Sequence, residues 1–416
     1  MTTIQRRRVA ITGMGTVNPC GLTVAETWDN LLAGRSGIGP ITRFDATDFT
    51  CKIAGQVKGF NPDNYIDKKE QKKMDMFIQY AMAAAMEAMN DSGLAALELP
   101  KAERELFGIS IGSGIGGLST IWEEANGYRG PRRTSPFFIP SLIINLASGF
   151  VSIKYGLQGP NSAGATACAT GTHAIGDAAR QIMFGYADRM VAGGSDSVVN
   201  PLGVGGFAAM RALSTRNDSP ETASRPFDKG RDGFVMAEGA GVVVLEEYEL
   251  AKARGAHIYA EIAGYGMSGD AHHISSPSED GDGPYRVMMA AIKDAGIQPE
   301  QVGYVNAHGT STPAGDRIEC AALTKVFGNH VKQLKVSSTK SMTGHLLGAA
   351  GGLETIVAAM VAQTGKIPPT INVVDQDPEC ALDVTANEAG IFSGEYTLNN
   401  NFGFGGTNGC LVLRKV

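Results

Sequence analysis

The stretch Val9-Ala-Ile-Thr-Gly-Met-Gly15 returns in the second half of the chain as Ile262-Ala-Gly-Tyr-Gly-Met267, and the segments after each copy correspond as well. The first copy leads to an Ala/Met-rich helical run, Phe77–Met89, closed by Asp91-Ser-Gly-Leu94, and then to the strand-like Phe107-Gly-Ile-Ser-Ile-Gly112. The second leads to a helical run closed by Asp294-Ala-Gly-Ile297 and to the strand-like Val302-Gly-Tyr-Val-Asn306. Apolar runs that alternate with helical periodicity are the mark of an α/β architecture. Two copies of one such unit meet near residue 255, where Tyr248–Gly255 reads as a connecting helix ended by glycine. The expected organisation is a half spanning residues 1–255 and a half spanning residues 256–416.

The remaining segments agree with this pattern. Arg8–Thr12, Leu106–Ile111, Arg189–Ala192, Gly241–Leu245 and Val302–Ala307 read as strands, and Ala174–Phe184 and Leu346–Met360 as helices. At 416 residues, 43% hydrophobic and 19% charged, the chain has the apolar content for a large core and not the composition of a disordered polymer. A net charge of −6 argues against a nucleic-acid partner. No unbroken apolar run of about 18 residues occurs, so no membrane span is expected. The Arg6-Arg-Arg8 run passes into a strand without a signal-peptide core. Six scattered cysteines form no CxxC and no metal spacing, which fits a reduced, cytoplasmic setting and predicts no metal site. Gly112-Ser-Gly-Ile-Gly-Gly and Gly264-Tyr-Gly-Met-Ser-Gly match GxGxxG, but in a chain with 54 glycines they carry little weight for a nucleotide.

Four segments can carry chemistry. Cys168, in Ala165-Thr-Ala-Cys-Ala-Thr-Gly-Thr172, stands just ahead of a helical pattern. A helix start favours thiolate by at most about 2 kcal/mol, so the thiol is expected to fall toward pH 7 and to need no dedicated base. His308 ends the strand Val302–Ala307, where open α/β sheets bind ligands. Thr310 and Thr312 beyond it offer hydroxyls at alternate positions, suited to an amide-containing ligand arm. His345 follows Lys340-Ser-Met-Thr-Gly and is expected to open a helix. The positive helix end and Lys340 both disfavour imidazolium there, leaving a neutral N–H donor. Asn400-Asn-Phe-Gly-Phe-Gly-Gly-Thr-Asn-Gly409 sets two phenylalanines among glycines between two strand-like runs, which suits an aromatic that swings. Lys68, Lys69, Lys72 and Lys73 on one helix, and Arg132-Arg133, are ordinary solvated charge or, on an acidic protein, a dock for an acidic partner.

Taken together, Thr166-Ala-Cys-Ala-Thr-Gly171, Asn306-Ala-His-Gly-Thr-Ser-Thr-Pro313, Lys340-Ser-Met-Thr-Gly-His345, Asn401-Phe-Gly-Phe-Gly-Gly-Thr-Asn-Gly409 and Pro201-Leu-Gly-Val-Gly-Gly-Phe207 resemble the β-ketoacyl-acyl-carrier-protein synthases, over essentially the whole chain. The resemblance implies a thiolase fold, two similar α/β halves in five layers α-β-α-β-α, and a homodimer. It implies fatty-acid elongation: Cys168 takes an acyl group, malonyl-carrier loses CO2 beside His308 and His345, and the carbanion attacks the thioester. It assigns backbone N–H groups of Cys168 and Phe404 to the oxyanion hole and Phe404 to a gate. Lys340 is given Glu354 and Asp316 as carboxylate partners. Ile115 is implied as a pocket wall, Phe138 as a residue reaching the partner copy's pocket, and Phe402, Thr310 and Thr312 as substrate contacts. The basic residues would meet the acyl carrier protein, which brings its own phosphopantetheine, so no cofactor of the chain's own is expected. Three rivals stand beside this reading. They are a polyketide-type ketosynthase, a thiolase-like enzyme using Cys410 as a second cysteine, and a non-catalytic chain-length partner subunit.

Overall fold

A computed structural model describes residues 6–416. Ten strands form one mixed sheet: β1 (Val9–Val17), β2 (Phe107–Gly112), β3 (Asn161–Ser162), β4 (Arg189–Asp196), β5 (Gly239–Glu247), β6 (Ala260–Gly269), β7 (Val302–Asn306), β8 (Lys335–Ser337), β9 (Tyr396–Gly403) and β10 (Thr407–Arg414). Their order is β8-β7-β9-β10-β6-β1-β5-β4-β2-β3. Cut at its middle, this is one arrangement used twice, β1-β5-β4-β2-β3 and β6-β10-β9-β7-β8. In each half the first strand pairs antiparallel with the fifth, and the fifth antiparallel with the fourth. The second strand pairs parallel with the fourth and the third. The halves are stitched by Ala10 and Ile11 against Glu261 and Ala260.

Parallel neighbours need crossovers, and helices supply them in matching places. They are α1 (Met76–Asp91), α2 (Leu146–Tyr155), α3 (Thr170–Met183), α4 (Asp282–Ala295), α5 (Pro313–Phe327) and α6 (Ala350–Thr364). Helix α1 covers the outer face of β1 and β5, and α4 covers β6 and β10. Helices α3 and α6 lie between the halves, touching each other, with α3 on β4 and α6 on β5 and β9. The result is the expected five layers and two similar α/β halves.

The middle layer is held by glycines. A methyl at Gly171 of α3 would lie 2.5 Å from the Gly352 nitrogen of α6. A methyl at Gly194 of β4 would lie 2.2 Å from the Gly348 carbonyl oxygen. Real Cβ atoms do not come so close to backbone, so the inner helices meet main chain to main chain. Each is also introduced by the same turn. The short 3-10 segments Ala167–Ala169 and Leu347–Ala349 precede α3 and α6, and each holds one non-glycine residue at positive φ, Ala167 at 48° and Leu347 at 53°.

One expectation is corrected here. His345 does not open a helix. It bridges Met236 in extended backbone, and the 3-10 turn and then α6 come after it. The segment Leu347–Thr364 has a mean hydropathy of 1.2, but Glu354 breaks its apolar run, in line with the sequence reading. It lies 83% buried between the two halves, so its apolar character serves the core. The connecting helix is Tyr248–Ala253, and Gly255 beyond it takes φ 72°.

The packing gives a direct test. Gly171→Ala should lower the free energy of unfolding by about 1–3 kcal/mol, the usual penalty for overpacking. Gly206→Ala, in the helix Pro201–Ala209 with open space around it, should raise stability by up to about 1 kcal/mol. Urea denaturation of the two variants beside wild type separates these outcomes.

Candidate active site

Cys168 is the middle residue of the 3-10 turn Ala167–Ala169, with α3 starting two residues on. The turn is clamped by Thr170, whose hydroxyl accepts from the Thr166 N–H at 2.8 Å and donates to the Ala167 carbonyl at 2.8 Å. The sulfur is nearly enclosed, at 8% exposure, and the backbone N–H of Phe404 points at it. Burial pushes the thiol up to about 12, against a smaller pull from the Lys340 charge, with Asp196 and Glu354 opposing that pull. This corrects the expectation of a thiol near 7. A helix start worth about 2 kcal/mol does not offset the loss of water around a buried sulfur. The resting group is a thiol, and its proton must leave when the sulfur attacks.

His308 lies two residues past the end of β7. Its backbone N–H donates to Glu319 at 2.9 Å, and the Gly309 N–H donates to the same carboxylate at 2.7 Å. Its ring Nδ1 is buried without a hydrogen-bond partner among the described residues. His345 is fixed differently. Its backbone N–H donates to Val235 O at 2.8 Å, and its Nδ1 accepts from the Leu347 N–H at 3.3 Å. That bond puts the ring proton on Nε2. Burial, with the Lys340 charge next, holds both imidazoles well below their ordinary range, and the His345 ring further disfavours a proton on His308. Both rings are therefore neutral. They stand 5.3 Å apart between centroids, at 87°.

Lys340 is fully buried and pairs with Glu354 of α6, which also accepts from the Asn401 side-chain N–H at 2.6 Å. The Glu354 half of its expected partnership is as read, and the Asp316 half is not. Asp316 accepts from the N–H groups of Phe227 at 3.0 Å and Ser311 at 3.1 Å, and sits 3.7 Å from Arg231. Burial outweighs those partners and lifts its carboxyl to about 6. It braces the loop after His308, including Ser311 at φ 69°, and does not serve Lys340. The carboxylate that reaches the His308 backbone is Glu319, one turn further along α5. Sequence reading missed it, although the spacing Asp316-x-x-Glu319 puts both on one helix face. Glu319 is itself lifted to about 7 by burial.

These groups open on one cavity of about 370 Å³. Cys168, His308, His345, Thr310, Thr312, Phe402 and Phe404 all line it. The two threonine hydroxyls are 3.0 Å apart, the Phe402 ring is 5.4 Å from His308, and Phe404 lies 6.2 Å from Phe207. Phe404 sits at the tip of the β9–β10 hairpin, beside Gly405 at φ 85° and Gly406 at φ 69°. That tip is tied to a neighbouring loop, where Gly405 N–H donates to Ile274 O at 2.8 Å and Asp270 N–H to Gly406 O at 2.9 Å. Ile115 and Phe138 do not line the cavity. Ile115 is exposed in the loop after β2, and Phe138 is half-buried at the start of the helix Phe138–Leu142. Cys410 is fully buried within β10 and takes no part in the cavity, which removes the two-cysteine rival. The basic residues lie outside the cavity. The four lysines do not share one helix: the helix is a single turn, Lys68–Gln71, with Lys68 3.3 Å from Asp63, and Lys72 and Lys73 follow it, Lys73 lying 2.6 Å from Glu70. Arg132 and Arg133 sit exposed in the turn Pro131–Arg133.

A raised thiol has a signature in pH. A buried sulfur is protonated below its pKa, so alkylation of Cys168 by iodoacetamide should climb about tenfold per pH unit from 7 to 10 without levelling. A plateau by pH 8 would restore the helix-start thiolate.

The chain is similar to known proteins along nearly its whole length. The family described as Beta-ketoacyl synthase, N-terminal domain, matches residues 6–251, and Beta-ketoacyl synthase, C-terminal domain, matches residues 259–374. A 3-oxoacyl-[acyl-carrier-protein] synthase 2 from Coxiella burnetii is 54% identical over 99% of this chain and 100% of its own. A beta-ketoacyl synthase from Burkholderia phymatum superposes with TM-score 0.91 at 36% identity, covering 99% of this chain and 100% of its own. A ketosynthase bound to a hexaketide, in complex with a type II PKS acyl-carrier protein, superposes with TM-score 0.90 at 35% identity over the same coverage. With a thiol and two neutral imidazoles facing one cavity, and both halves matched, the chain belongs to the beta-ketoacyl synthases.

Proposed function

We propose that this chain lengthens a carrier-bound acyl group in fatty-acid synthesis by decarboxylative condensation with malonyl-carrier. The observation that carries this reading is the pair of uncharged imidazoles 5.3 Å apart on the same cavity as a single thiol. Decarboxylation develops negative charge on a thioester oxygen, and neutral N–H donors in a dry site stabilise it without protonating the carbanion.

In the first half-reaction the Cys168 sulfur attacks the acyl thioester, and the carrier thiol leaves. His308 takes the thiol proton, because no hydrogen bond fixes its tautomer, and returns it to the departing carrier sulfur. The N–H groups of Cys168 and Phe404 hold the tetrahedral oxygen. In the second, the malonyl thioester oxygen accepts from His345 Nε2–H and from His308. The bond to the carboxylate breaks, CO2 leaves, and the enolate carbon attacks the Cys168 thioester. Collapse of that adduct expels the Cys168 sulfur, which takes up a proton from solvent to restore the thiol, and gives the 3-oxoacyl-carrier. Lys340, paired to Glu354, keeps both rings neutral, and Glu319 and Asp316 hold the loop that presents His308. Phe404 closes the cavity mouth with Phe402 behind it, and Thr310 and Thr312 meet the amides of the phosphopantetheine arm.

The carrier protein meets Lys68, Lys69, Lys72, Arg132 and Arg133. Two observations support a single face: Lys73 lies over the Phe137 ring at 5.4 Å, joining the two clusters, and the chain's acidic balance makes this basic patch locally distinct. A second copy pairs across the edge strand β3, beside the exposed Phe137, Ile139 and Ile153, and receives Phe138 while Ile115 walls the acyl pocket. Six free cysteines fit a cytoplasmic site of action. The polyketide reading is supported by a neighbour of TM-score 0.90 but at 35% identity, against 54% for the fatty-acid relative. A chain-length partner without a nucleophile is disfavoured by Cys168.

Intact-mass analysis tests the assignment. Cys168→Ala should gain no acyl mass from acyl-carrier. His345→Ala should acylate normally and His308→Ala more slowly, and both should lose condensation by about 100-fold or more. Acylation of Cys168→Ala equal to wild type would end this reading.

A further inference from the structure

His173, in the first turn of α3, is buried, and its ring bridges the two segments that carry the Cys168 and Phe404 N–H groups. Its Nε2 lies 3.1 Å from the backbone oxygen of Asn408, which can only accept, so Nε2 carries the ring proton. Burial holds the ring below its ordinary range, against smaller pulls from the Asn408 carbonyl and the Asp177 charge. In that neutral ring Nδ1 is an acceptor, and the Thr166 hydroxyl donates to it at 2.8 Å. One end of the bridge is thus two residues ahead of Cys168. The other is in β10 directly opposite Phe402, which is two residues ahead of Phe404. Glycine makes room for the ring, since a methyl at Gly409 would lie 2.9 Å from its Cδ2. The bridged segments also pass each other closely: a methyl at Gly403 would lie 2.8 Å from the Thr166 carbonyl oxygen. No step of the chemistry proposed above uses this histidine.

We propose that His173 is a positioning residue that fixes the separation of the Cys168 and Phe404 N–H groups by hydrogen-bonding the nucleophile's turn at one end and the β9–β10 hairpin at the other. Both half-reactions put negative charge on an oxygen between those two groups. It forms once when the sulfur attacks the carrier thioester, and again when the enolate attacks the Cys168 thioester. A displacement of either donor by about 1 Å is costly to such a site. The bridge requires a donor at one end and an acceptor at the other, and a neutral imidazole supplies both in one rigid plane. His308 and His345 are held by Glu319, Val235 and Leu347 and not by this ring. The inference rests on the acyl transfer proposed above.

The test compares two reactions of the same sulfur in the full-length protein. Acyl transfer from acyl-carrier builds a tetrahedral oxygen, and alkylation by iodoacetamide does not. In His173→Ala, acylation of Cys168 at saturating acyl-carrier, followed by intact mass, should slow at least about tenfold, with the half-saturating carrier concentration unchanged. Alkylation should stay within about threefold of wild type, because the Phe404 N–H acts on the resting sulfur less than burial and the Lys340 charge do. His173→Asn keeps only an acceptor for Thr166, and His173→Gln only a donor for Asn408, so each should slow acylation as His173→Ala does. Equal losses of acylation and alkylation, or acylation by any of the three variants within about fivefold of wild type, would overturn the bridge. If circular dichroism shows the His173 variants unfolded, Thr166→Val, which removes one end of the bridge alone, must show the same split, and the same two outcomes overturn it. Failure of the wild-type chain to acylate at all would instead strike the proposed function.

Discussion

The contact on which everything else depends is the main-chain approach of α3 and α6. Gly171, Gly194, Gly241, Gly348 and Gly352 leave no room for a methyl at any of their crossings. That closeness brings a nucleophile from the first half against histidines from the second. The chemistry thus belongs to the seam between halves and to neither half alone. Bulk added at the seam would push the sulfur and the rings apart together.

The seam is also dry, and dryness sets the protonation states. Lys340 is a cation pressed into this middle layer, and Glu354 is its counterion. Removing either alone would leave a buried charge uncompensated, a loss of about 3–5 kcal/mol. The pair therefore fixes an internal field under which both imidazoles stay neutral. The thiol under the same desolvation stays protonated, which makes the lone pair of an unfixed ring the natural acceptor for its proton.

Much of this was legible in the sequence because repetition survives where glycine is compulsory. The echo of Val9–Gly15 in Ile262–Met267 marked the first strand of each half, and the strand orders agree with it. Cys168, His308 and His345 were visible because each sits in a run of small residues at the end of an element. Three features were not legible. The level of the Cys168 thiol depends on burial, which local sequence does not encode. The true partner of Asp316 is Arg231, brought in from a loop 85 residues earlier by tertiary packing. Asp196 sits in an ordinary Gly-Gly-Ser-Asp strand end, and only the fold shows that four donors converge on it. Ile115 and Phe138, which motif position alone had put at the pocket, lie off the cavity.

The paired 3-10 turns before α3 and α6 are matching elbows with unlike contents. Both keep a left-handed residue, Ala167 in one and Leu347 in the other, followed by the position where a reactive side chain would project. In the first half that position holds cysteine, and in the second it holds glycine at 348. The two elbows are alike in backbone, and only the first is armed. The other presents a bare backbone N–H, which donates to the buried Asp196 at 2.6 Å in space that any side chain would have filled.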